Sequence, residues 1–233
     1  MLRRLLAETL GMAFLLATVV GSGIAAVQLS GGSAALALLC NAVATGAILV
    51  VLITVLGPVS GAHLNPAVSL TMALERRLAW TALGPYVAAQ LVGAVLGVVA
   101  AHMMFEQPML QLSTTGRTGP GQWLGEAIAT FGLLLTIFGC IARAPKSTPL
   151  AVGLYVLAAY WFTSSTSFAN PAVTIARSLT DTFAGIAPTD VPTFIVAQMV
   201  GAFAAVLTGK ALWPGVSPAC AARPAPPPKP AGS

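Results

Sequence analysis

Two tripeptides carry the residue types and spacing suited to chemistry on a passing solute: Asn65-Pro66-Ala67 and Asn170-Pro171-Ala172. Asn is a strong helix N-cap and Pro suits the first helical position, so each tripeptide predicts a helix start. An Asn whose side-chain oxygen caps its own helix keeps its NH2 free to face a lumen. Two such donors hold the oxygen of one water or hydroxyl. Two helix N-termini at the same place, each worth roughly +0.5 charge, repel cations, hydronium included. The chemistry is escort of neutral hydroxylated solutes rather than bond making. No Ser/His pair, zinc-binding motif or catalytic carboxylate dyad stands at a recognisable spacing, which argues against an intramembrane enzyme.

The elements that must position these residues are apolar. The 233-residue chain is 57% hydrophobic and 7% charged, with a mean hydropathy of +0.87. Soluble domains carry about 25% charged residues, so the class is a polytopic membrane protein. Long apolar runs lie near 5–27, 34–56, 82–104, 122–141, 149–166 and 191–212, each close to the ~20 residues a bilayer demands. The N-terminal run is too long for a signal-peptide core and has a counterpart in the second half of the chain. Two shorter helices are predicted near 65–75 and 170–181, each covering about half of a ~30 Å hydrocarbon layer. Arg3, Arg4, Arg76, Arg77, Arg143, Lys146, Lys210, Arg223 and Lys229 fall on one side of six crossings, against Arg117 and Arg177 on the other. This predicts cytoplasmic N- and C-termini. The net charge of +5 is spread over connections and is not a nucleic-acid signal.

The halves echo one another. "LLAETLGMAFLL" (5–16) matches "WLGEAIATFGLL" (123–134), "AHLNPAVSL" (62–70) matches "FANPAVTIA" (168–176), and "YVAAQLVGA" (86–94) matches "FIVAQMVGA" (194–202). Three spans per half make the halves antiparallel, an inverted-topology repeat. One short helix then dips in from each face. Irregular backbone at that depth survives where it is buried in protein or lines a wet cavity, so a pore is expected where the halves meet. The predicted fold is all-α, six transmembrane helices plus two half-helices in an inverted 3+3 repeat. The first repeat covers about 3–105 and the second about 121–213. A Pro-rich cytoplasmic tail, 214–233, reads as disordered or polyproline.

Glu8 and Glu126 are paired intramembrane carboxylates at matched repeat positions. They read either as braces for the dipping loops or as a proton relay of a secondary transporter. Gly93, Ala94, Gly97, Gly201 and Ala202 suit close helix crossing. The hydroxyls of Thr163, Ser164, Ser165 and Thr166 are expected to bond loop backbone. Cys40 and Cys140 lie in apolar spans and read as small core residues, and with Cys220 they match no metal or disulfide pattern.

Two Asn-Pro-Ala motifs at matched positions of such a repeat resemble the aquaporin family, the major intrinsic proteins, over about residues 3–213. The resemblance implies passive flux of water or small uncharged solutes, no cofactor, a homotetramer with one pore per subunit surrounded by membrane lipid, and a location in the bacterial inner membrane. It favours the bracing role of Glu8 and Glu126, and it turns the backbone carbonyl of His63 toward the lumen. It also implies a constriction outward of the motifs, made in most members by aromatic residues and an Arg directly after the second motif. Here that position is Val173. Offsets carried from the family give Thr45, Ala158 and Ser167 as the other three. This set holds no aromatic ring, His or Arg, so the mouth is expected to be wide. It resembles a bacterial aquaglyceroporin subgroup with Val in place of Arg. Glycerol-sized polyols, urea-like amides and metalloid hydroxides such as arsenous acid are the expected solutes. Arg177, one helical turn beyond Val173, is expected in the outer vestibule. It either pairs with Asp181, a further four residues on, as a solvated brace, or replaces the missing cation.

Overall fold

A computed structural model describes residues 1–109 and 111–214. Eight α-helices follow in order: α1 Leu2–Leu29, α2 Ala34–Ser60, α3 Pro66–Leu74, α4 Trp80–Met104, α5 Pro120–Arg143, α6 Thr148–Phe162, α7 Pro171–Arg177 and α8 Val191–Leu212. Among the described residues there is no strand. Proline sits in the first turn of α3, α5, α6, α7 and α8, where its missing N–H costs nothing. All but one residue of the Pro-rich stretch 214–233 lies outside the described residues.

The packing repeats itself. Helix α1 lies against α2 and α4, and α5 lies against α6 and α8. The halves are joined by α2 against α6, by α7 against α4 and by α3 against α8. Each short helix thus packs on a long helix of the other half, which places both at the centre. The α1–α4 and α5–α8 crossings need residues without bulk. A Cβ at Gly93 would overlap the Thr9 carbonyl, one at Gly97 the Ala13 carbonyl, and one at Gly201 the Ala127 carbonyl. The expected role of these three glycines therefore stands on backbone-to-backbone approach. The cysteines divide: Cys140 is buried, whereas Cys40 is exposed on the outside of α2 and is not a core residue.

Two expected lengths need correction. Among the described residues, five helices are long and apolar enough to cross a bilayer. The fifth expected crossing, 149–166, is a helix of only 15 residues ending at Phe162, about 22 Å at 1.5 Å per residue. The hydroxyl run stops it. Thr163 Oγ1 donates back to the Ala159 carbonyl at 2.7 Å, Ser164 Oγ to the Gly121 carbonyl at 2.8 Å, and Ser165 Oγ accepts from the Ser167 N–H at 3.2 Å. Side chains that bond local backbone compete with helix continuation. The second short helix likewise spans seven residues and ends at Arg177 rather than near 181. The Arg177 Nε donates to the Ala184 carbonyl, and the Ser178 hydroxyl to the Ile175 carbonyl at 2.7 Å. Those bonds turn the chain back on itself.

Candidate functional site

Both dipping loops run through backbone conformations that non-glycine residues rarely take. Ala62 and Leu64 have φ of 45° and 48° before α3, and Ser167 and Ala169 have φ of 51° and 47° before α7. The matched positions are three and one before each Asn. Such geometry persists where the surroundings over-determine it, and the glutamates do so here. Glu8 accepts from the His63 N–H at 3.0 Å and the Leu64 N–H at 2.8 Å. Glu126 accepts from the Phe168 N–H at 2.8 Å and the Ala169 N–H at 2.9 Å. Gln90 donates to Glu8 at 2.8 Å and to Ser69 at 2.9 Å, while Gln198 donates to Glu126 at 2.6 Å and to Thr174 at 2.9 Å. Each glutamate, 0% exposed, thus ties one long helix, one loop and one glutamine into a unit. The two glutamines lie in the third echoed sequence block. Their identity across the halves was the available signal for a role that the sequence reading did not assign.

Asn65 and Asn170 sit where the short helices meet. The Asn65 oxygen accepts from the Ala67 N–H at 2.9 Å, and the Asn170 oxygen from the Ala172 and Val173 N–H groups at 3.0 and 3.3 Å. These are the expected caps. The amide nitrogens are not wholly free, contrary to expectation. Asn65 Nδ2 donates to the Ala169 carbonyl and Asn170 Nδ2 to the Leu64 carbonyl, both at 2.7 Å. One hydrogen of each NH2 thus locks the opposite loop. The second remains for the cavity that both residues line.

That cavity measures about 400 Å³. It extends from Pro145, Thr148 and Pro149 at one end, past both motifs, to Arg177 at the other. Leu49, Val152, Val156, Leu133 and Ile137 are among its apolar walls; Thr45, Asn65, Tyr160, Ser167 and Asn170 supply polar groups. His63 also lines it, with Nδ1 3.1 Å from Ser69 Oγ and its ring against Tyr86. Pro66, Ala67, Pro171 and Ala172 form the first turns of α3 and α7 behind the lumen.

Of the four expected constriction residues, Thr45, Ser167 and Val173 line the cavity. Ala158 does not; it is exposed on the outer face of α6. The lumen face of α6 is Val152, Val156 and Tyr160, spaced by four as one helical face requires. Counting back from Asn170 across the compressed 163–166 turn lands on the wrong face. Tyr160 is buried, and its hydroxyl lies 3.2 Å from Thr45 Oγ1. Phe168 lines the cavity as well. The expectation of a mouth without an aromatic ring is therefore overturned.

Arg177 is 2% exposed and lines the conduit. Its guanidinium carbon stands 3.4 Å from the centroid of the Phe168 ring, a cation–π contact. It does not pair with Asp181. That carboxylate is exposed and accepts from the Thr114 N–H at 2.8 Å and the Thr114 hydroxyl at 3.0 Å. The solvated Arg177–Asp181 brace is thus replaced by two separate contacts. Arg117, from the α4–α5 connection, donates to the carbonyls of Gly185 at 2.7 Å and Phe183 at 3.3 Å and lies 5.1 Å from the same Phe168 ring. Burial lowers the pKa of Arg117 from its ordinary value, with the charge of Glu126 opposing that shift. His102, given no role from sequence, is fully buried and spans the Met109 carbonyl at 3.0 Å and the Thr180 hydroxyl at 2.7 Å. It ties the end of α4 to the segment after α7.

Two antiparallel half-helices, tied tip to tip beside a cavity that both motifs line, inside a bundle of apolar helices, define a membrane channel rather than an enzyme. The chain belongs to the major intrinsic protein family, whose model matches residues 1–167. It is 55% identical over 204 residues to the aquaglyceroporin AqpS of Rhizobium meliloti, covering 88% of this chain and 87% of that one. It is 36% identical over 105 residues to the glycerol uptake facilitator protein of Streptococcus pneumoniae, covering 40% and 45%. In fold it is similar to the X-ray structure of the aquaglyceroporin from Plasmodium falciparum, with a TM-score of 0.71 at 21% identity, over 94% of this chain and 98% of that one.

Proposed function

We propose that this integral membrane protein conducts water, glycerol-sized polyols and neutral metalloid hydroxides such as arsenous acid, passively and in both directions. The observation that carries the reading is the mixed lining of the conduit, apolar side chains together with the two asparagines and the loops. A polyol rolled against Leu49, Val152 and Val156 keeps its carbon edge on apolar groups. Its hydroxyls then face Asn65, Asn170 and the loop backbone. Each amide has one N–H left for that purpose, and donors placed for hydroxyls discriminate against solutes that lack them. The relatives named for glycerol and for aquaglyceroporin function support the same class of solute. Thr45, Ser167 and Val173 form part of the outer narrowing, and Glu8, Glu126 and His63 support the loops. The chain works as a homotetramer in the bacterial inner membrane with both termini cytoplasmic, in line with its charge distribution.

An ion-coupled transporter is not favoured. Glu8 and Glu126 are occupied by loop and glutamine N–H donors and are not among the residues lining the conduit. Stopped-flow light scattering of proteoliposomes with water, glycerol, urea and arsenous acid tests the proposal. Flux that rises linearly with the gradient and ignores ionophores supports a channel. Saturation at millimolar solute, or dependence on an ion gradient, overturns it.

A further inference from the structure

The position after the second Asn-Pro-Ala motif is Val173, which offers neither charge nor donor, yet the conduit is not without a cation. Arg177 stands one helical turn further out on the same face of α7 and lines the same conduit. Two contacts fix its guanidinium plane. Nε is committed to the Ala184 carbonyl, and the flat face lies on Phe168. No carboxylate among the described residues comes within ion-pair distance of it, since Asp181 is turned to Thr114. The two terminal nitrogens carry four N–H donors. None of these has a protein acceptor among the described residues, and neither nitrogen is a buried unsatisfied atom. Their free edge therefore opens to the lumen. Ser167 Oγ, beside Phe168, is by contrast buried without any partner and lines the same cavity. Tyr160 completes the mouth from α6, held by its hydroxyl contact with Thr45 on α2.

We propose that Arg177 and Tyr160 together form the solute-discriminating constriction of this channel. Arg177 acts as charged donor and cation barrier from one turn outward, and Tyr160 as the ring that sets the width. A neutral polyhydroxy solute entering from this end meets the Arg177 N–H edge before it reaches the asparagines. A monovalent cation meets a guanidinium that no ion pair screens, in a low-dielectric passage. The Thr45, Ser167 and Val173 side chains then line the mouth without setting its selectivity.

This inference rests on the channel reading above and is tested on the full chain in proteoliposomes. Water, glycerol and erythritol fluxes are measured by light scattering, and methylammonium entry by an internal pH dye. In Arg177→Met, which retains the apolar stem, methylammonium entry should rise above the wild-type level and the glycerol-to-erythritol ratio should fall about tenfold. Tyr160→Ala should lower that ratio and leave methylammonium excluded. Arg177→Lys keeps the charge and loses the planar fork, so it should keep methylammonium out and still lower the ratio; it carries the test where Arg177→Met does not assemble. Wild-type ratios and wild-type methylammonium exclusion in these variants overturn the proposal. Absence of glycerol flux in wild-type vesicles overturns the solute reading instead. The constriction then stands or falls on methylammonium entry in Arg177→Met, or, where that variant does not assemble, on its exclusion by Arg177→Lys and entry through Arg177→Ala.

Discussion

Asn65 donates its amide hydrogen to the carbonyl of Ala169 at 2.7 Å, 104 residues away in the chain. Asn170 returns the bond to the Leu64 carbonyl at the same length. The two half-helices are thus held together by the residues that also begin them. The pair is at once a structural clasp and a donor set lining the conduit.

Asn170→Asp keeps the capping oxygen and removes one of the two bonds of the clasp. A carboxylate in that place cannot donate to the Leu64 carbonyl and faces it with like partial charge. The lost bond costs about 0.5–1.5 kcal/mol, and the new negative charge offsets the N-terminal dipoles. Cation conductance in planar bilayers should appear where the wild type shows none. A silent bilayer with normal water flux would count against an electrostatic role for the motif.

Glu126→Gln places an NH2 where a carboxylate accepted three bonds. At least one buried N–H then loses its acceptor, at about 1–3 kcal/mol. The melting temperature of the detergent-solubilised protein should fall. Glu8→Gln should lower it comparably, because Glu8 holds the matched set of partners.

Val173→Arg sets a second guanidinium one turn inward of Arg177. Glycerol flux should drop about tenfold, equivalent to a barrier raised by about 1.4 kcal/mol, while water flux is spared. Unchanged fluxes of both would remove Val173 from the lumen.

Gly93→Val and Gly201→Val drive a side chain into the Thr9 and Ala127 carbonyls. Overpacking of this kind costs about 1–3 kcal/mol, read as early aggregation on size-exclusion chromatography after a heat step. Gly84 meets nothing within 4 Å, so Gly84→Ala in the same assay should stabilise by about 0.5–1 kcal/mol.

The sequence by itself determined the class, the helices and the pairing of the halves, because these follow from local rules. A bilayer sets span length, Asn-Pro sets a helix start, and an echoed block sets a matched position. Hence Asn65, Asn170, Glu8, Glu126, Gly93 and Gly201 were each placed by residue type and spacing. The tertiary structure decided which way side chains point where no repeat or period governs them. Tyr160 rather than Ala158 faces the conduit because α6 stops four residues early and its helical phase is fixed by packing on α2. Arg177 left Asp181 for Phe168 and the Ala184 carbonyl because the chain folds back after a seven-residue helix, which heptad-like counting along a longer helix does not foresee. Contacts between residues far apart in the chain depend on three-dimensional closure, and spacing along the sequence carries no record of that.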